Sequence, residues 1–262
     1  MWSPLRIAVP LVCSVLALGG ASGRTIEAQS PSAREHIALG DRDYANRLAQ
    51  SALEHFTQAI HIEPKNYEAL WKASRAEVDL AESMKKGADQ DALMTSAKDH
   101  AEDAIAANTG DAEGHFSLAR ALGRKALSVG TTERIKFSKL VRAEALEALK
   151  LDSVHAGALH VLGMWNAEIM RVNGLARAFA KAFLGAGVFS LASWDEAQRL
   201  LEKSVQLDPN RIVHHLDLGK IYTDRDAKAK AIEQFDWIAA APAREVNDSL
   251  YKTEAAARRA KL

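Results

Sequence analysis

The chain has one cysteine, Cys13, and none after it, so the fold gets no disulfide and must stand on packing alone. It has only six prolines in 262 residues, and alternating runs rich in Val, Ile and Thr are missing. The first absence leaves helices uninterrupted and the second argues against any sheet. Charge of one sign is also lacking. Net charge is zero and the isoelectric point is about 7.1, which excludes a nucleic-acid binder driven by neutralising phosphates. What remains is 48% hydrophobic and 26% charged, the balance of a chain with a sizeable core.

One apolar run stands out. Arg6 precedes Ile7 to Leu18, and Gly19, Gly20, Ala21, Ser22 and Gly23 follow it. A basic start, about a dozen apolar residues and a small-residue exit read as a secretory signal peptide over residues 1–23. The run falls short of the ~20 residues of a comfortable membrane span. Cleavage after Gly23 or after Ala28 both fit, and an uncleaved anchor is the alternative. Pro10 and Val12 do not make a lipoprotein context for Cys13. The expected location is therefore periplasmic or secreted. Residues 24–32, with Gln29, Ser30, Pro31 and Ser32, read as a flexible lead-in.

From residue 33 onward the chain repeats itself. His215, Leu218, Gly219 and Tyr222 sit at helical spacing, and Ala231 and Phe235 follow on the next presumed helix. Counting Gly219 as position eight of a repeat, the same position recurs at Gly40, Ser74, Ala119 and Gly163. All five are small. Position seven reads Leu39, Ala73, Leu118, Leu162 and Leu218. A small residue beside a large one lets two helices approach closely on a shared face. Second helices show Ala52, Phe56 and Ala59, then Ala97, Ala101 and Ala104, then Val141, Ala145 and Ala148, then Ala197, Leu201 and Ser204. This is the tetratricopeptide pattern, and it implies an all-α, right-handed α-solenoid. About five hairpins are expected over residues 33–262, with a C-terminal capping helix from Asp248 whose Lys252, Arg258, Arg259 and Lys261 face water. Pro242 closes the helix before it.

First helices start 34, 45, 44 and 56 residues apart. The two middle spacings fit longer helices with polar loops near Lys85 to Asp91 and Gly130 to Glu133. The last carries an insertion, residues 173–193, that contains Leu175, Phe179, Phe183, Leu184, Val188, Phe189 and Leu191 with Arg177, Lys181 and no acid. Asn173-Gly174 should end the preceding helix, and Ser193 with Glu196 forms a capping box that starts the next.

Three segments narrow the class. They are Ala69-Leu70-Trp71 with Arg75 and Ala76, Ala158 to Trp165, and Ala182-Phe183-Leu184-Gly185 leading into Ser193-Trp194-Asp195-Glu196-Ala197. Together they make the chain resemble the regulator of microtubule dynamics family over residues 34–260. The resemblance implies a tetratricopeptide domain of the kind found in intracellular eukaryotic proteins, some at mitochondrial or endoplasmic-reticulum membranes, implicated in microtubule association. For one mitochondrial relative it implies lipid binding and transfer. The export signal departs from that intracellular setting.

Catalytic and cofactor motifs are missing: no Gly-x-Ser-x-Gly elbow, no phosphate-binding loop ending in Lys-Ser/Thr, no His-Glu-x-x-His. No enzyme, cofactor or metal is expected. Neighbours such as His214 and His215 point about 100° apart on a helix and do not hold one metal. His36, His115 and His215 read as packing residues. A solenoid's function normally lies on its concave face. Position five places Ile37, Trp71, Phe116, His160 and Leu216 there, and position nine places Asp41, Arg75, Arg120, Met164 and Lys220, with Arg124 a turn further on. The candidate ligand site is therefore Trp71, Arg75, Phe116, Arg120, Arg124, His160, Met164 and Lys220, an apolar stripe beside a mainly basic one. Its alternative is aromatics packed on the next helix and solvated cations. Phe179, Phe183 and Phe189 are candidates for core packing, for a lid or for a membrane contact. The functional expectation is a monomeric, non-enzymatic scaffold for a protein or peptide, with a carrier of a lipid or anionic amphiphile as the alternative.

Overall fold

The computed structural model describes residues 31–172 and 187–262. Among them there are eleven α-helices and no strand. Helices α1 (Ala33–Ala45) and α2 (Ala49–Ile62) form the first hairpin, α3 (Tyr67–Ser83) and α4 (Ala88–Ala107) the second, α5 (Ala112–Ala126) and α6 (Thr131–Leu151) the third. The fourth pairs α7 (Ala156–Arg171) with α8 (Trp194–Leu207), and a 3₁₀ turn, Gly187–Leu191, precedes α8. Helices α9 (Ile212–Asp224) and α10 (Lys228–Ala240) make the fifth, and α11 (Asp248–Arg259) ends the chain.

Five of the eleven described helices start on a side-chain cap. Ser32 and Glu35 form a full capping box on α1, which brings Ser32 into the repeat domain rather than the lead-in. Asn66 Oδ1 accepts from the Ala69 N–H at 3.1 Å and Asp111 Oδ1 from the Glu113 N–H at 2.9 Å, each satisfying an otherwise orphaned donor. At α8 only half of the expected box exists. Ser193 Oγ accepts from the Glu196 N–H at 3.1 Å, but the Ser193 N–H donates to Asn166 Oδ1 at 3.2 Å. Arg199, a turn later, holds the Glu196 carboxylate instead. The two shortest turns place Arg47 and Asp226 at φ 65° and 57°. There the Leu48 N–H reaches the Asp43 carbonyl at 2.9 Å and the Ala227 N–H the Tyr222 carbonyl at 2.8 Å, the left-handed exit that satisfies the last carbonyls of a helix.

The extra length of the middle repeats is helix rather than loop. Helix α4 begins at Ala88 and α6 at Thr131 and they run for 20 and 21 residues, so the expected loops shrink to a few residues each. Helix α7 ends at Arg171 with Val172 extended. Asn173-Gly174, Phe179 and Phe183 lie outside the described residues, as does the leader. No described helix is long and apolar enough to cross a membrane.

The repeat columns become the core. Every position-eight residue is buried, and each second-helix Ala, Phe, Val or Leu of the pattern is buried against it. The spacing is steric. A Cβ at Gly40 would stand 2.5 Å from the Phe56 ring, at Gly163 2.9 Å from Leu201, and at Gly219 2.6 Å from Phe235. Small residues are thus required where the partner helix presents a ring or a Leu.

The C-terminal end does not simply cap the array. Asn247 Nδ2 donates to the Asp79 carbonyl on α3 at 3.0 Å, and the Tyr251 hydroxyl donates to Glu82 at 2.8 Å. Asn247, Asp248 and Tyr251 are all buried. Helix α11 therefore straps the fifth hairpin back to the second. Only its far side faces water as expected: Arg258 and Lys261 are exposed, whereas Lys252 donates to the Ala239 and Ala241 carbonyls at the end of α10 and Arg259 pairs with Asp236.

Candidate functional site

The strap turns the concave face into a cavity of about 760 Å³. Its floor is α5 and α7, its sides are α3, α6 and α9, and residues 245–247 with α11 cross the opening. Phe116, Ile135, Val141, Val161, Met164, Trp165, Ile169, Phe189, Val213 and Leu216 supply an apolar wall. That volume lies within the ~300–1,000 Å³ of sites that enclose a small ligand.

Six of the eight candidate ligand residues line it: Phe116, Arg120, Arg124, His160, Met164 and Lys220. Trp71 and Arg75 are not in its lining. Phe116 also packs with Ala112, Ala148 and Ala158 and lies 2.6 Å from where a Gly157 Cβ would stand. Phe189 is buried, edge-on to Trp165 at 6.2 Å between ring centres. It is cavity wall and core, which is incompatible with an exposed membrane contact.

The basic stripe is not what the structure holds. Arg120 donates to Asp79, which also accepts from the Tyr44 hydroxyl. Arg124 meets Glu82 at 2.6 Å. Lys220 sits between Asp217 and Glu254, 3.0 Å from each, and Glu254 also takes Arg258. Arg171 is answered by Asp224 and Glu168, and Arg211 by Glu245. Arg134 donates to the Ala126 and Val129 carbonyls. The lining thus carries seven basic residues and seven carboxylates. Within the cavity the cations of the expected basic stripe are paired: Arg120 and Arg124 by acids of α3, and Lys220 by Asp217 of its own helix and Glu254 of α11.

These groups are tuned by that pairing. Burial opposes the Arg120 charge, but Asp79 holds its pKa above the ordinary arginine value. Burial alone would raise Asp217; Lys220 and the hydrogen bond from His160 at 2.8 Å hold it well below the usual carboxylate range. Burial lowers Lys220, yet Asp217 and Glu254 leave it raised overall. Burial, and then Glu82, push the Tyr251 phenol well above its usual value. The polar side of the cavity is thus largely paired within itself, with one exception among its buried side-chain atoms: Arg120 Nη1 has no acceptor.

His214 stacks on His160, with ring centres 4.8 Å apart, and its Nδ1 lies 2.9 Å from Ser204 Oγ. The Ser204 hydroxyl donates to the Ala156 carbonyl at 2.9 Å, so it accepts from His214 and is a satisfied core group rather than a nucleophile beside a base. His36, His115 and His215 each hydrogen-bond within the repeats, to His55, Glu144 and Gln234. Among the described residues no group of three His, Cys, Asp or Glu side chains is disposed to hold a metal ion.

The acids and the strap are what sequence reasoning missed. A signal existed: Arg75, Asp79 and Glu82 share one face of α3, and Tyr251, Glu254 and Arg258 share one face of α11. A solvated cap does not place a Tyr within such a row.

Comparison with known proteins fits this geometry. The model of the regulator of microtubule dynamics protein 1-3 family matches residues 36–262. The chain belongs to that family. A curated relative from Bos taurus, regulator of microtubule dynamics protein 1, is 26% identical over 199 residues, covering 74% of this chain and 61% of the relative. The chain thus spans under two thirds of that relative's length. Among solved structures, a thermophilic TPR protein from Thermus thermophilus is similar at TM-score 0.63 and 16% identity, over 86% of this chain and 99% of that one. This member of the regulator of microtubule dynamics family is therefore a tetratricopeptide α-solenoid. That architecture typically serves as an interaction scaffold through its concave surface.

Proposed function

We propose that this protein is a non-enzymatic binder whose partly enclosed cavity takes an amphiphile. The observation that carries the reading is the strap. Asn247 and Tyr251 bridge α11 to α3 and close off the groove along which an extended peptide would lie, leaving a ligand-sized volume with a long apolar wall. The ligand's tail lies against Met164, Trp165 and Ile169 and its polar end toward Arg120 and His160. With lining charges balanced, that end is net neutral or zwitterionic as readily as anionic, which widens the anionic class expected from sequence. Export by the N-terminal segment is part of the proposal, and so is a cell-envelope location. A microtubule role is not, because an exported chain does not meet that polymer.

Native mass spectrometry of the protein purified from its own host tests this. A co-purifying adduct of lipid mass, lost in Met164→Trp with the fold intact, is the expected result. An apo mass together with no displacement of a fluorescent alkyl probe overturns it. The second reading, a protein scaffold, is supported by the repeat class and by the part of the concave face on α1 and α3 that lies outside the cavity.

A further inference from the structure

The strap crosses the concave face at Asp79, and the next turn of α3 toward the N-terminus lies beyond it. There Arg75 is held between two aromatic rings. Its guanidinium carbon stands 3.9 Å from the Tyr44 ring centre and 5.1 Å from that of Trp71. The Tyr44 ring is itself fixed, because its hydroxyl donates to Asp79. Stacking of this kind positions a cation but uses only its faces. Stacking makes no use of the N–H groups, and Arg75 Nε is buried with no acceptor.

Its neighbours in the register differ from it. Of the four cations that the repeat register puts on this face, Arg120, Arg124 and Lys220 each carry a carboxylate. Arg75 carries none among the described residues. The acids around it are committed elsewhere: Asp79 to Tyr44 and Arg120, and Asp41 and Glu68 to Lys72 at 2.6 and 2.5 Å. Leaving a buried donor unsatisfied costs free energy, and the arrangement tolerates that cost where the side chain is fully oriented beforehand. Orientation of that kind is what makes a guanidinium fork bind an oxyanion well.

We propose that Tyr44, Trp71 and Arg75 form a second binding site, separate from the cavity, that recognises an oxyanion: a carboxylate or a phosphate group presented beside an apolar surface. The guanidinium edge donates to two anion oxygens, and the Trp71 ring covers the group that carries them. The site stands whether or not the cavity holds an amphiphile.

Nitrogen–proton NMR of the full chain reads it directly, with acetate and inorganic phosphate as separate probes at constant ionic strength. Saturable shifts of the Arg75 Nε–H and the Trp71 indole N–H are expected for at least one probe. Arg75→Gln should abolish the Trp71 response, and Arg75→Lys should weaken binding about tenfold, since it keeps the charge and loses the fork. Trp71→Leu, which leaves the cation in place, should also weaken it. Response to acetate alone identifies a carboxylate ligand, and response to phosphate alone a phosphate. Shifts that persist in Arg75→Gln, or that never saturate with either probe, overturn the proposal.

Discussion

The position-eight column makes a quantitative prediction, best tested at Gly219 with Gly123 as its control. Both glycines lie inside helices, α9 and α5, so replacement by Ala brings the same intrinsic gain of about 1 kcal/mol. Their surroundings differ. A Cβ at Gly219 would lie 2.6, 2.9 and 3.1 Å from three atoms of the Phe235 ring, which is 1% exposed and has nowhere to go. At Gly123 the nearest such atom is a Val141 methyl at 3.9 Å, an ordinary contact. Overpacking a tight core typically costs about 1–3 kcal/mol. Gly123→Ala should therefore be more stable than the parent by up to about 1 kcal/mol, and Gly219→Ala less stable by up to about 2 kcal/mol. Urea unfolding followed by helical circular dichroism measures both, with an unchanged slope confirming that only stability moved. Adding Phe235→Leu to Gly219→Ala should return part of the loss, a favourable coupling of about 0.5–3 kcal/mol. If Gly219→Ala is as stable as Gly123→Ala, the small-residue column is not a steric requirement and the reading of the repeat register is wrong.

Other positions give shorter tests. Phe56 is fully buried beside Gly40, so Phe56→Ala should cost about 3–5 kcal/mol in the same unfolding assay. Ser193→Ala removes the α8 cap and should cost about 1 kcal/mol; Glu196→Gln should cost much less, since its carboxylate serves Arg199 rather than the Ser193 N–H. Tyr251→Phe deletes the bond to Glu82 and should speed hydrogen exchange in α11 while the α5–α7 amides stay protected. Acid sensitivity has a stated sign. Burial, then His160 and Arg211, keep His214 neutral well below the usual imidazole range. Stability from this site is full above about pH 6.5 and falls below it by up to about 1.4 kcal/mol per pH unit, because only the unfolded chain takes the proton. His100 works in the other direction: burial opposes its charge, but Glu77 raises its pKa, so its contribution is full below about pH 6.5 and lost as pH rises. His214→Gln should flatten the fall of the urea midpoint below about pH 6.5, and His100→Gln should flatten its fall above that pH; unchanged slopes in both variants would refute both assignments.

The fold was legible because its determinants are local and periodic. Gly40, Gly163 and Gly219 meet rings or a Leu placed at a fixed offset on the next helix, so one column predicts the other. Turns were less legible. Arg47 and Asp226 adopt the left-handed conformation without being glycine, and Ser193 lends only its side chain to the capping box because Asn166, twenty-seven residues earlier, takes its N–H. Register alone could not show this. The site was half legible for a similar reason. Position nine identified Arg120 and Lys220, and the turn beyond it Arg124, as facing inward, but their neutralisation depends on Asp79 and Glu82 of α3, on Asp217 beside Lys220 and on Glu254 of α11, whose Tyr251 meets Glu82 from 169 residues further along. A one-dimensional repeat gives no account of its last helix meeting its second hairpin.

That meeting decides how the concave face can be used. An open solenoid offers one continuous groove, and its cations would act on a ligand together. Here Asp79 accepts from Tyr44 and Arg120 through its carboxylate and from Asn247 through its carbonyl, so α1, α3, α5 and the strap converge on one residue. On one side of it the charges are paired and a volume is enclosed. On the other, Arg75 is oriented and unpaired. Asn247→Ala therefore separates the roles: it removes the strap's bond to the Asp79 carbonyl and leaves the Asp79 carboxylate on Tyr44 and Arg120, so the Arg75 side chain keeps its place between Tyr44 and Trp71. Faster hydrogen exchange at α11 with an unaltered anion response at Arg75 is the expected pair of results, and joint loss of both in a folded variant would show that the face works as a single groove.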